Sequence, residues 1–111
     1  MEVINAILYV SDLEQSKRFY IEELGLEASN EDERFVAFDT GPCSLSIKVV
    51  EEEREIAGAQ TIVLKVKTVD ELFTRHKRAS NRVYSGLVQE EWGRTFSILD
   101  PDGNRIELVQ E

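Results

Sequence analysis

Apolar and polar residues alternate in short runs along this chain, and the first run leads into a segment with helical spacing. Residues 3–10 alternate with a period of two, which predicts a strand. Asp12 and Gln15 have the spacing of a helix N-cap and its capping partner, and the helix is predicted to end at Gly25. The polar segment that follows predicts a turn and then two strands, at residues 29–34, 35–38 and 44–50.

The same order of elements begins again in the second half of the chain. Its predicted strand, helix, short strand and closing hairpin lie at residues 61–67, 69–79, 86–89 and 96–108. Val10 matches Val66 at an offset of 56 residues, whereas Phe35 matches Phe96 at an offset of 61. The offset changes because the connection between helix and strand is longer in the second half. This twofold repeat predicts an α+β fold built from two βαβββ modules.

A charged segment separates the two repeats. Residues 51–60 contain four glutamates and one arginine, without the alternation found on either side. We therefore predict a single domain that spans the chain and contains a first module, an acidic connector and a second module, at residues 1–50, 51–60 and 61–111.

The closing hairpin places a carboxylate on one face of its return strand. Asp100–Gly103 has proline and glycine at positions that favour a tight turn. Glu107 stands between Ile106 and Leu108, so it points to the face opposite these apolar neighbours. A carboxylate on an inner sheet face is costly unless it meets a metal, a cation or water. Its possible partners within the sheet are Lys48, Lys65 and Arg105.

The charge balance excludes some classes of partner. The chain has 13 basic and 22 acidic residues and a net charge of −9, which disfavours nucleic acid. No apolar run approaches the roughly 20 residues that span a bilayer, and the N-terminus lacks the layout of a signal peptide. The single cysteine, Cys43, cannot form an internal disulfide and fits a reducing compartment. We predict a cytoplasmic protein without a membrane or nucleic-acid partner.

Few residues are suited to catalysis. The only histidine, His76, lies in the basic run Arg75–Arg78 and is predicted to be on a solvated helix face, so no nucleophilic triad can be built on it. The six glycines are scattered and form no phosphate-binding loop. Glu107 is the one catalytic candidate, as a general base with Tyr9 as a possible donor.

Strand alternation divides the strand residues into two sets. The set predicted to face the helices is Ile4, Leu8, Val10, Phe35, Leu45, Ile47, Ile62, Leu64, Val66, Phe96, Ile98, Ile106 and Leu108. The set predicted to line the inner face is Asn5, Ile7, Tyr9, Phe38, Ser46, Lys48, Thr61, Val63, Lys65, Ser97, Leu99, Arg105 and Glu107. The second set mixes apolar and hydrogen-bonding groups, as small-molecule pockets do. It includes basic groups in an acidic chain, so the charge of a ligand stays open.

Several motifs carry a family resemblance that covers the whole chain. They are Tyr9-Val10-Ser11-Asp12-Leu13, Phe19-Tyr20, Leu24-Gly25-Leu26 and the hairpin Asp100–Asn104 that leads to Glu107. With the internal repeat, they resemble the glyoxalase/bleomycin resistance/dioxygenase superfamily, also called vicinal oxygen chelate. The resemblance implies two βαβββ modules whose sheets curl into a cup, and a homodimer. It does not specify a reaction, because the superfamily contains both metalloenzymes and non-enzymatic binding proteins.

The resemblance also implies where a metal would be bound. The family's enzymes take ligands from the first strand of each module and a glutamate from the last strand. The matching positions here are Asn5, Thr61 and Glu107, with Ser46 as a possible fourth. Only Glu107 fits a metal enzyme, because a stable site needs imidazoles or several charged oxygen ligands. We therefore expect neither a metal nor another cofactor.

The leading functional prediction is a metal-independent protein that binds an antibiotic-like or aromatic small molecule. The segment Gln89–Gly93 resembles one that borders the ligand cleft in bleomycin-resistance proteins, and its Trp92 offers a stacking surface unless it only anchors a loop. The predicted ligand-binding residues are Asn5, Ile7, Tyr9, Phe38, Ser46, Lys48, Thr61, Val63, Lys65, Trp92, Arg105 and Glu107.

Two alternatives stay open. The first is a divergent glyoxalase- or dioxygenase-like lyase or oxygenase, in which Glu107 and Asn5 hold Mn, Fe, Ni or Zn with water or a partner chain completing the site. The second is a regulatory or structural dimer whose cup is vestigial. Tight metal retention would favour the enzyme, and a cup filled by its own side chains would favour the structural dimer.

Overall fold

A computed structural model describes residues 1–79 and 82–111 of the chain. The chain divides into two compact units, Met1–Gln60 and Thr61–Glu111, which we call unit one and unit two. Each unit contains one βαβββ module and one four-stranded mixed sheet, and neither sheet is closed. The predicted α+β class and the tandem modules are thereby confirmed.

Unit one contains four strands and one helix. Its elements are β1 (Asn5–Val10), α1 (Leu13–Arg18) with a π-helical continuation (Phe19–Glu23), β2 (Ala28–Glu31), β3 (Phe35–Phe38) and β4 (Ser44–Val49). The sheet order is β1-β4-β3-β2, with β1 and β4 parallel and the other pairs antiparallel. The Asp12 carboxylate accepts the Gln15 N–H at 3.0 Å, as the N-cap prediction required.

Unit two repeats this arrangement. Its elements are β5 (Thr61–Val66), α2 (Val69–Arg78), β6 (Val83–Glu90), β7 (Gly93–Leu99) and β8 (Arg105–Gln110). The sheet order is β5-β8-β7-β6, with β5 and β8 parallel. None of the helices in the described part of the chain is long and apolar enough to cross a membrane.

The strand registers agree with most of the repeat and correct one part of it. Phe38 lies opposite Leu45 across six intervening residues, whereas Ile98 lies opposite Ile106 across seven. The hairpin of unit one is therefore one residue shorter, and Phe96 corresponds to Val36 instead of Phe35. A slip of one residue moves a strand's side chains to the opposite face.

This slip makes the prediction for β3 wrong. Phe38 was predicted on the inner face, but it is fully buried on the helix side, with its ring 5.6 Å from that of Tyr20. Phe35, predicted in the core, lies opposite Lys48 on the other face.

The position of His76 also differs from the prediction. Its side chain is buried, and its ring lies 6.3 Å from that of Phe96. His76 continues an apolar helix stripe whose spacing is set by Val69, Leu72 and Phe73. This periodicity indicates a buried position, whereas the prediction relied on the basic neighbours of His76.

Three strands also differ from the prediction. Strand β1 begins at Asn5, and the preceding Ile4, predicted in the core, is 70% exposed. The segment predicted as a turn contains β2, an exposed edge strand that pairs with β3 through its backbone. Strand β6 spans eight residues, and its alternation is broken by two register shifts against β7.

Candidate functional site

The face of the unit-one sheet that lies opposite α1 carries a cavity. Side chains alternate along β1 and β4, so every second residue points away from the buried helix side. We call this the open face. A cavity of about 200 Å³ on it is lined by Asn5, Ile7, Phe35, Ser46 and Lys48. All of these residues except Phe35 were predicted on the inner face. Because of the one-residue shift in β3, Phe35 occupies the place on this face that was predicted for Phe38.

The cavity combines apolar walls with an oriented amide. Ile7 and Phe35 provide the apolar surface. The buried hydroxyl of Ser46 donates to Asn5 Oδ1 at 2.9 Å and thereby fixes the direction of the amide. Within the described residues, Asn5 Nδ2 has no hydrogen-bond partner, so it is available to donate to a carbonyl oxygen of a guest.

Lys48 forms the charged wall of the cavity, and its ammonium group is already bound by carboxylates. Its Nζ lies 3.1 Å from Glu51 Oε1 and 3.2 Å from Glu55 Oε1. The same Nζ lies 5.9 Å from the centre of the Tyr9 ring, within the range of a cation–π contact. Hydrogen bonding to Glu51 and Glu55 raises the pKa of Lys48 above its ordinary value.

Glu55 brings the acidic connector back against β4. Although the residue belongs to a charged run, it is 6% exposed. Its Oε1 accepts the backbone N–H of Glu51 at 2.9 Å and that of Glu52 at 3.4 Å, in addition to the ammonium of Lys48. The Glu51 N–H, with Lys48 and the Glu52 N–H adding to it, lowers the pKa of Glu55 despite its burial. Both members of the pair are therefore charged at neutral pH.

This ion pair predicts a specific loss of stability in acid. Because the folded-state pKa of Glu55 is depressed, its contribution to stability is present above the ordinary carboxyl pKa of 4.5 and is lost as the pH falls through the depressed value. Glu55→Gln is therefore expected to lower the melting temperature at neutral pH, and the difference from the wild type should shrink between about pH 5 and pH 3. Thermal melts followed by circular dichroism measure both effects.

Glu52→Gln is the matched control, because Glu52 is an exposed connector carboxylate whose nearest cation, Arg54, is 3.5 Å away. It should leave the melting temperature almost unchanged at each pH. A difference between wild type and Glu55→Gln that stays constant over the whole range would show that ionisation of Glu55 does not stabilise the fold.

The corresponding face of the unit-two sheet, which lies opposite α2, carries an internal ion pair. Arg105 donates from Nη2 to Glu107 Oε1 at 3.0 Å and from Nε to Ser97 Oγ at 3.3 Å. Its guanidinium lies 4.9 Å from the centre of the Tyr84 ring, and Ser97 Oγ is 2.7 Å from Ser85 Oγ. The sequence left Lys48, Lys65 and Arg105 as possible partners of Glu107, and the structure pairs Glu107 with Arg105. The Glu107 side chain is only 14% exposed.

The other predicted site residues of unit two are more exposed. Thr61, Val63 and Lys65 lie on the edge strand β5, with Thr61 opposite Arg105 and Val63 opposite Glu107. Trp92 lies at the turn between β6 and β7 and is 62% exposed, so it is not a buried anchor. The convergence of Asn5 and Ser46 with Thr61 and Glu107 on one inner face stays a prediction.

The residues at the family's metal positions do not fit a divalent ion. Glu107 is paired with Arg105, and the Asn5 carbonyl oxygen accepts the Ser46 hydroxyl. Thr61 adds only a neutral hydroxyl, and such a set competes poorly with water for a metal. Across residues 1–79 and 82–111, no group of three or more His, Cys, Asp or Glu side chains is arranged to hold a metal ion.

Three residues of these faces were not predicted as site residues. Phe35 was assigned to the wrong face, although the lengths of the two hairpin turns contain the signal. Tyr84 lies on β6, where bulges conceal the alternation. Glu55 lies in a glutamate-rich run that is typical of a solvated connector, and sequence alone gives no signal for its burial.

Comparisons with known proteins agree with this architecture. The family model described as "Glyoxalase/Bleomycin resistance protein/Dioxygenase superfamily" matches residues 3–108. Uncharacterized protein YraH of Bacillus subtilis is 29% identical over 130 aligned positions, which cover 99% of this chain and 98% of YraH.

Solved structures show the same similarity. TnmS3, an antibiotic binding protein from Streptomyces sp. CB03234, superimposes with a TM-score of 0.85 at 26% identity. The alignment covers 99% of this chain and 95% of the TnmS3 chain. A lactoylglutathione lyase from Agrobacterium tumefaciens gives a TM-score of 0.83 at 21% identity, with coverages of 98% and 92%. At this lower identity, the likeness to the lyase concerns the fold alone.

Proposed function

We propose that this chain, which belongs to the Glyoxalase/Bleomycin resistance protein/Dioxygenase superfamily, is a metal-independent small-molecule-binding protein. The observation that carries the proposal is the open cavity of unit one, where two apolar side chains lie beside an oriented amide. Small-molecule sites have this composition, in which apolar contact supplies affinity and a few polar groups orient the guest. The proposed guest is a small aromatic or amphipathic compound.

The side chains in and beside the cavity have different roles in this proposal. Ile7 and Phe35 would pack against the flat surface of a guest, and Tyr9 would extend the aromatic wall beside Lys48. Asn5 Nδ2 would donate to a carbonyl oxygen, with its direction fixed by Ser46. An antibiotic-binding relative with the same fold supports binding as the function. Metal-dependent lyase or oxygenase chemistry has less support, because the donor set fits a metal poorly.

A homodimer and a cytoplasmic location belong to the same proposal. The family resemblance implies the dimer. The single free cysteine, Cys43, suits a reducing compartment.

A variant that blocks the cavity tests the proposal. The experiment screens aromatic and amphipathic compounds by thermal shift on chelator-treated protein, and it repeats each positive result with Ile7→Glu. Because this substitution places a carboxylate against the apolar wall, it is expected to weaken binding by about tenfold or more.

Ile4→Glu is the control, since Ile4 is a similar exposed aliphatic residue that lies just before β1 and outside the cavity. It should bind the same compounds with wild-type affinity. Stabilisation that requires Mn, Fe, Ni or Zn, or equal losses in the two variants, would contradict a metal-independent guest in this cavity.

A further inference from the structure

The charges around the unit-one cavity form a balanced network. Arg34 Nη1 lies 2.8 Å from Glu51 Oε2, and Lys48 Nζ bridges Glu51 and Glu55. Two cations are therefore matched by two carboxylates. The sequence leaves open whether basic residues on this face attract a carboxylated guest, and the contacts of Lys48 argue against such a guest.

We propose that Glu55, by binding and neutralising Lys48 at the wall of this cavity, makes the site select uncharged guests over carboxylates. The inference rests on the proposed function and adds the chemical class of its ligand: a small planar compound with a neutral carbonyl group, such as an aromatic amide. In this account Glu55 is a positioning residue that acts through Lys48.

The position of Glu55 makes its carboxylate difficult for a guest to displace from Lys48. The side chain is buried and is held by two backbone N–H groups of the connector, so a guest carboxylate cannot displace it at low cost. A guest anion near Lys48 would also approach Glu51 and Glu55, and like charges in close contact reduce affinity strongly. A neutral carbonyl group avoids this repulsion and can accept from Asn5 instead.

The remaining charges favour the same class of guest. Unit one contains 14 acidic and 5 basic residues and therefore carries the whole net charge of −9. Its field lowers the local concentration of anions.

Two isosteric probes test the inference. Isothermal titration compares 2-naphthamide with 2-naphthoate, which share the same rings and differ in charge. The wild type is expected to bind the amide about tenfold or more tightly than the carboxylate. Glu55→Gln keeps a side-chain oxygen that can accept the Glu51 N–H and removes one charge. It should raise the affinity for 2-naphthoate about threefold or more, with little change for 2-naphthamide.

Two further variants complete the experiment. Glu51→Gln removes the other carboxylate at Lys48 and provides a second test if Glu55→Gln unfolds; its expected effect has the same sign. Glu22→Gln makes the same charge change at an exposed residue of the helical segment, away from the cavity, and should leave the ratio of the two affinities unchanged.

The outcomes separate the inference from the proposed function. Preference for 2-naphthoate in the wild type, or equal shifts of the affinity ratio in Glu22→Gln and Glu55→Gln, would overturn the inference while leaving a small-molecule site in place. A wild type that binds neither probe nor any compound of the aromatic screen would overturn the proposed function, and the inference with it.

Discussion

Replacing Phe38 with alanine is expected to lower the free energy of unfolding by about 3–5 kcal/mol. The ring is fully buried on the helix side of the sheet and packs against Tyr20, which is itself buried against Phe19. Removing the ring leaves a void that the surrounding helix and strands can fill only in part. Urea unfolding followed by circular dichroism measures the loss.

Phe35→Ala is the matched comparison, because it removes the same ring three residues earlier on β3. Phe35 is only partly buried and lines the cavity, so its removal should cost about 1 kcal/mol of stability or slightly more, and reduce guest affinity about tenfold. If Phe35→Ala were the more destabilising variant, or if Phe38→Ala weakened binding without loss of stability, the assignment of the two faces of β3 would be wrong.

The second large effect is expected at Asp100, in the hairpin between β7 and β8. Its buried carboxylate accepts the backbone N–H groups of Asp102, Gly103 and Asn104 at 2.8–3.0 Å, and its second oxygen accepts the Asn104 amide at 2.9 Å. Asp100→Ala removes the acceptor and leaves these donors inside the turn. It is expected to cost about 3 kcal/mol, measured by the same unfolding experiment.

The control for this prediction is Asp39→Ala in the corresponding turn of unit one. Asp39 is exposed, and its carboxylate accepts one N–H, from Gly41, at 3.4 Å. Its loss should cost about 0.5 kcal/mol or less, because a long, hydrated contact contributes little. Equal losses at the two positions would show that the buried hydrogen bonds of Asp100 do not stabilise the hairpin.

The parts of the fold that follow a buried face could be predicted from sequence. β1, β4, β5 and α1 have one apolar side, and their periodicity gave their positions to within a few residues. Strand β2 does not follow this rule: it is exposed and pairs through its backbone, so its four residues carry no alternation. A one-residue difference between two turns then decided which ring of β3 enters the cavity, and periodicity within the strand did not reveal it.

The candidate site could be predicted only in part. Asn5, Ile7, Ser46 and Lys48 follow from alternation along β1 and β4, and they do line one cavity. The charge state of this cavity could not be derived, because it depends on Glu55, which a turn of the connector returns to β4. Sequence gives the charge of each residue, but long-range folding decides which charges neutralise one another.

An NMR titration of chelator-treated, ¹⁵N-labelled protein with 2-naphthamide tests the central claim most directly. Metal-independent binding in the unit-one cavity predicts saturable shifts of the amide signals of the five lining residues, unchanged by added Zn²⁺: Asn5, Ile7, Phe35, Ser46 and Lys48. Shifts that require Zn²⁺, or saturable shifts confined to residues outside this cavity, would contradict the claim.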